Sequence, residues 1–235
     1  MNAGLLDKII GVSSSFFETI AFGLTTYFVL FKKKKITLSD IFLFCTWLSL
    51  SISFFLIFIM LLGYHFLGFS LKTTYFFILV ISIFWVAPPF SIFLFLLSKV
   101  PLNQFLKAFL VFVIGVTLFL ILFFYFKHGK PATKMNDPYI ESQFERVGVY
   151  GIIGIISVCF LLFLWAILED FRQKKISWDN LSPLYTYFTL FLFGIITFIR
   201  LFYFIPRPII IEMFYFLIPY LTYLARKEEL KHEKN

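Results

Sequence analysis

The chain has 235 residues, of which 60% are hydrophobic and 14% charged, with a mean hydropathy of +0.92 and a formal net charge of +8. Soluble domains carry roughly 25% charged residues, so this composition excludes a water-solvated globule and makes lipid the solvent for most of the chain. The positive charge then reads as loop charge facing anionic headgroups, with the bilayer rather than nucleic acid as partner. The 37 phenylalanines fit a composition drifting toward Phe, Ile and Lys together, since Phe enters a bilayer about as favourably as Leu.

Seven stretches reach the ~20 apolar residues that a membrane helix needs: 11–31, 38–66, 73–98, 102–126, 147–168, 182–205 and 208–225. Ahead of the first stands a single basic residue, Lys8, and no small-x-small cleavage site follows, so it reads as a retained helix and not a secretory signal. The second is long and is expected to tilt or to extend past the lipid. Its Ser49, Ser51 and Ser53, at a spacing of two, cannot share one helix face and are expected to bond back to their own backbone. The third carries Pro88-Pro89 at its middle, which removes two backbone donors and predicts a kink or break. The loop 127–146, with Gly129, Pro131, Asp137 and Pro138, has room for a short lid or hairpin at most. The fifth span opens Gly148-x-x-Gly151-x-x-Gly154, a spacing that favours close helix approach. The sixth and seventh meet at the corner 204–208, and 226–235 reads as a charged helical extension. Cys45 and Cys159 sit in distant apolar runs, outside any CxxC or Cys/His cluster, and imply neither a disulfide nor a metal site. The expected fold is all-α: a single integral membrane domain over 1–235, built as a polytopic bundle of seven helices.

Basic residues set the direction of threading. With the N-terminus outside, the cytoplasmic side holds Lys32, Lys33, Lys34, Lys35, Lys99, Lys107, Arg172, Lys174, Lys175, Arg226, Lys227, Lys231 and Lys234, which is 13 of the 21 Lys and Arg. The outer side holds Lys8, Lys72, Lys127, Lys130, Lys134, Arg146 and Arg207, while Arg200 lies within a helix. The bias predicts an N-out, C-in topology in a prokaryotic inner or plasma membrane, with 127–146 outside and 226–235 cytoplasmic.

Intramembrane charges are costly and therefore candidates for function. Glu18, Arg200 and Glu212 qualify. Arg200 and Glu212 are each six residues from Pro206, so an antiparallel hairpin turning there sets them at similar depth and predicts an ion pair. Glu18 reaches a comparable depth from the first span, His65 ends the second on the same side, and Arg146 and Tyr150 open the fifth. The outer half is thus expected to hold a polar cluster, while Asp40 and Lys107 of the inner half lie close enough to span ends to reach headgroups. Such a cluster serves either as an outward-facing pocket for a polar or anionic ligand, or as a structural ion pair fixing helix register.

The three histidines, His65, His128 and His232, offer no bis-His haem ligation within the spans. The span 208–225 contains no lysine for a retinal Schiff base, and paired intramembrane Asp or Ser/His residues of a protease are lacking. No cofactor and no catalytic set is implied. The run Lys32–Lys35 after the first helix, and Trp85-Val86-Ala87-Pro88-Pro89-Phe90 followed by Phe93-Leu94-Phe95 in the third, resemble the heptahelical N-terminal sensor regions of bacterial signalling proteins of the histidine-kinase type. Those regions feed a cytoplasmic output domain, whereas this chain stops ten residues after its last expected span, at Asn235. The resemblance therefore implies a receptor-like or accessory module acting through a separate cytoplasmic or membrane partner. A small transporter or channel for a polar or anionic solute is the alternative, and a lipid-modifying membrane enzyme the third. In a cysteine-free background, a cysteine placed at 34 should resist an impermeant thiol reagent applied to intact cells. Labelling from outside would overturn the threading.

Overall fold

The computed structural model describes residues 3–134, 137–141, 145–177, 180–203 and 214–232, with 3, 4, 7, 128, 130–134, 137–141, 145–150, 152 and 198–203 described as backbone. Seven helices are described: α1 (Ala3–Leu30), α2 (Leu38–Phe66), α3 (Leu71–Lys99), α4 (Gln104–His128), α5 (Glu145–Arg172), α6 (Ser182–Tyr203) and α7 (Leu217–His232). Polar residues fix the helix starts. Thr37 caps α2, Ser70 accepts from the Thr73 N–H at 3.1 Å to cap α3, and Asn103 accepts from the Leu106 N–H at 2.7 Å to cap α4. Between α2 and α3 the chain turns at Gly68, whose φ of +73° suits glycine.

Five helices contain stretches long and apolar enough to cross a membrane: Lys8–Leu30, Leu38–Phe66, Leu71–Lys99, Gln104–Lys127 and Ile153–Arg172. In the sixth expected span the apolar helix described is the shorter Ser182–Thr197. The corner 204–208 and the start of the seventh lie outside the described residues. Helix α7 straddles the expected border between last span and tail, and carries the charged extension as helix to His232.

The loop after α4 forms a short hairpin, which the sequence allows for: β1 (Lys130–Lys134) and β2 (Asp137–Glu141) pair antiparallel, with Ala132 opposite Tyr139. The Tyr75 hydroxyl of α3 donates to the Gly129 carbonyl at 3.1 Å and ties the base of this hairpin to the bundle. The expectation of a break at Pro88-Pro89 needs correction: both lie inside an uninterrupted α3. Proline removes only its own donor, and a helix packed on its neighbours tolerates that loss. The Ser82 hydroxyl donates to its own Ile78 carbonyl at 2.8 Å and so does not serve the carbonyls that the prolines leave open.

Helix α1 packs against α2 and α7, α2 against α3, α6 against α7, and α3 against α4 and α5. Phe22 of α1 is the hub. Its ring, fully buried, stacks on Trp47 and Phe54 of α2 at 5.9 and 5.3 Å, and meets Phe193 of α6 and Tyr215 edge-on at 6.0 and 5.3 Å. Close approach of α1 and α2 is allowed by Gly23, where a Cβ would sit 3.4 Å from the Ser51 hydroxyl. That hydroxyl donates across to the Thr19 carbonyl at 3.2 Å. Ser49 and Ser53 bond back within α2 as expected, and Ser51 instead bridges two helices. Of the glycines opening α5, Gly151 marks a tight contact, with a built Cβ falling 2.8 Å from the Ile121 side chain of α4, whereas Gly154 faces open space.

The outward surface is apolar. On α4, Phe105, Phe112 and Phe119 are 81, 68 and 65% exposed on one face, the pattern of a helix bathed in lipid. Replacing Trp47, 1% exposed, by Ala should destabilise the detergent-solubilised protein by about 3–5 kcal/mol. Phe105→Ala should leave its thermal midpoint nearly unchanged. Equal effects would show that the Phe22 hub does not hold the helices together.

Candidate functional site

The site is built where α1 ends. Helical bonding stops at Leu30, and Lys32 adopts a left-handed φ of +51°, which turns the chain back toward α2. Of the four consecutive lysines, Lys32, Lys34 and Lys35 are exposed, while the Lys33 side chain is 12% exposed. Four and seven residues on from Lys33, Thr37 and Asp40 form a capping box at the start of α2. The Thr37 hydroxyl accepts from the Asp40 N–H at 3.3 Å, and Asp40 Oδ2 accepts from the Thr37 N–H and hydroxyl, each at 2.7 Å. Asp40 Oδ1 receives the Lys33 ammonium.

Helix α7 supplies the other half. Arg226 and Glu229, three residues apart, share a helix face. Arg226, 3% exposed, donates from Nε to the Phe31 carbonyl at 2.6 Å and from Nη1 to Glu229 Oε2 at 2.9 Å. The same Oε2 lies 3.2 Å from the Lys33 ammonium, and Oε1 accepts from the Ser182 hydroxyl of α6 at 3.2 Å. Two cations and two carboxylates thereby join the ends of α1, α2, α6 and α7. A small cavity of about 40 Å³ lies beside them, reaching inward along Thr186, Thr189 and Thr222 to Trp47. A wider groove of about 340 Å³ opens outward between Lys33, Asn180, Ser182, Pro183, Glu229 and His232.

A second buried contact closes the turn between α5 and α6. The Tyr187 hydroxyl donates to Asp170 Oδ2 at 2.7 Å, Lys175 approaches Oδ1 at 3.7 Å, and the Lys175 N–H donates to the Asp170 carbonyl at 2.9 Å. Both clusters lie at the same end of the bundle. The Ser39 and Ser98 hydroxyls, 3.0 Å apart, bring the end of α3 to the start of α2 there as well.

Of the six residues expected in a polar cluster on the opposite half, Glu18 and His65 have described side chains. Glu18 is buried within α1, 3% exposed, about 20 Å along the axis from Phe31. His65 is half-buried in the last turn of α2, its ring 5.1 Å from that of Tyr64. The side chains of Arg146, Tyr150, Arg200 and Glu212 lie outside the described residues, and the Arg200–Glu212 pair with them. Asp40 is a correction: it is buried and paired instead of reaching for headgroups, because the capping box aims its carboxylate at Lys33. Sequence reasoning missed this cluster; the signals that could have found it are the Thr37-x-x-Asp40 box ahead of an apolar run and the Arg226-x-x-Glu229 pair, each of which marks its own two residues and not their meeting.

Among the described residues, no three His, Cys, Asp or Glu side chains gather as a metal site. No protein family, curated protein or solved structure was found to match this chain. The charges are balanced and fixed by short contacts, an arrangement suited to latching helices and to holding a charged group. Replacing Arg226 by Leu leaves the Phe31 carbonyl without its guanidinium donor and Glu229 with Lys33 and Ser182 alone, and should cost about 1.5–3 kcal/mol. Glu229→Gln, at a side chain 34% exposed, should cost no more than ~1 kcal/mol. Thermal unfolding in detergent measures both, and the reverse ranking would show that the latch does not depend on Arg226.

Proposed function

We propose that this chain is an integral membrane protein of receptor-like or accessory kind, threaded N-out and C-in with seven spans, that acts on a partner protein through the end where α7 leaves the bundle. The observation that carries this reading is the Arg226 latch. Arg226 and Glu229 couple α7 to the Phe31 carbonyl, one residue past α1, and, through Lys33, to the cap of α2. A shift of α1 against α2 would therefore reach α7 directly.

The basic bias supports a cytoplasmic location for this end, and the resemblance to sensor regions agrees with a signal leaving from it. A conduit draws less support, since Phe22, Trp47, Phe54 and Phe193 fill the middle of the described bundle. A photo-crosslinking amino acid placed at the exposed position 227 in the native membrane should trap a discrete protein adduct. The same probe at 112, on the lipid-facing side of α4, should trap lipid. Identical adducts at both positions, or solute flux by the purified chain in proteoliposomes, would overturn the reading.

A further inference from the structure

The groove between α1, α6 and α7 is filled at its inner end by one of the chain's own carboxylates. Three donors from three elements converge on Glu229: the ammonium of Lys33, the guanidinium of Arg226 and the hydroxyl of Ser182. Its partners are held independently of it. Lys33 is anchored to Asp40, whose other oxygen is fixed by Thr37, and Arg226 is anchored to the Phe31 carbonyl. Glu229, with 34% of its side chain exposed against 3% for Arg226 and 12% for Lys33, is the member that can leave. Its departure would uncover two cations and a hydroxyl already oriented, a preorganised anion site.

We propose that this groove is a binding site for a phosphate group, carried by a lipid headgroup or by a small soluble molecule, and that Glu229 is its internal competitor. Chemistry favours phosphate over carboxylate. Glu229 must share Oε2 between Lys33 and Arg226 while Oε1 takes Ser182, whereas a phosphate offers each donor its own oxygen and suits guanidinium geometry. The groove, at about 340 Å³, lies in the size range of small-ligand pockets. Exposed Lys32, Lys34 and Lys35 beside it add a field that attracts anions. The site does not require the partner reading, since phosphate binding and a protein adduct at 227 are read separately.

The test uses the full chain in uncharged detergent, titrated with inorganic phosphate at constant ionic strength and followed by calorimetry. It is repeated in nanodiscs of phosphatidylcholine with and without phosphatidic acid, followed by thermal midpoint. Glu229→Gln removes the competing charge and should strengthen phosphate binding about tenfold, the worth of one charge-assisted hydrogen bond. Lys33→Gln should abolish binding, while Lys34→Gln, outside the groove, should leave it within about twofold. Gel filtration confirms that each variant is folded. Stabilisation by phosphatidic acid without a response to inorganic phosphate identifies a lipid headgroup, and the reverse a soluble ligand; both support the site. No binding by either the wild type or Glu229→Gln, or equal losses in the Lys33 and Lys34 variants, would overturn it.

Discussion

Within lipid, helices gain nothing from hiding apolar surface from water, because the hydrocarbon around them is as apolar as their own side chains. What holds such a bundle must come from close packing and from polar groups that find each other. Here Phe22 supplies the packing, with rings from α2, α6 and the approach to α7 stacked or edge-on around it. The polar part is concentrated at one end, where Lys33, Asp40, Arg226 and Glu229 offset one another's charge. Many hydroxyls along the helices are spent locally. Thr25, Thr26, Thr46, Thr189 and Thr222 each donate to the carbonyl four residues back and so add little to helix pairing. Ser51 differs because Gly23 lets its hydroxyl reach α1.

The two clusters at the Lys33 end have different characters. Asp170 and Tyr187 pair at close range across a short turn, with both groups buried, and fix the path from α5 into α6. The Lys33 cluster spans four helices and borders an open groove. The first is a staple. The second has one member, Glu229, more exposed than the cations that hold it, and the proposals of a ligand and of a partner both rest on this cluster.

Helices α2 to α4 were legible in the sequence because apolar runs stop at residues able to cap, Thr37, Ser70 and Asn103. Helix α1 begins at Ala3, ahead of the apolar stretch 11–31: its first turns contain Asp7 and Lys8, which lower the apolar signal without opposing a helix. The prolines Pro88 and Pro89 do not break α3, since a local rule about donors does not include the packing that holds the helix together. The polar cluster was missed for a different reason. In the sequence Lys33 and Arg226 read as loop and tail charges and Asp40 is judged by its depth, yet Lys33 is paired by residues at 40 and 229, and the contact between α1 and α7 follows from the fold rather than from spacing. The Thr37–Asp40 box and the Arg226–Glu229 pair were visible as local signals, but nothing local says that they meet.

The bond from Arg226 to the Phe31 carbonyl joins residues 195 positions apart. A chain made from its N-terminus inserts α1 and α2 long before α7 exists. Through that interval the end of α1 lacks its guanidinium, and Lys33 has Asp40 but not yet Glu229. The first helical hairpin must therefore persist on its capping box, the Ser51 bridge and the stacking of Phe22 on Trp47 and Phe54, all of which form within residues 19–54. Closure of the charged end therefore waits for α7, and it reports that α7 has arrived.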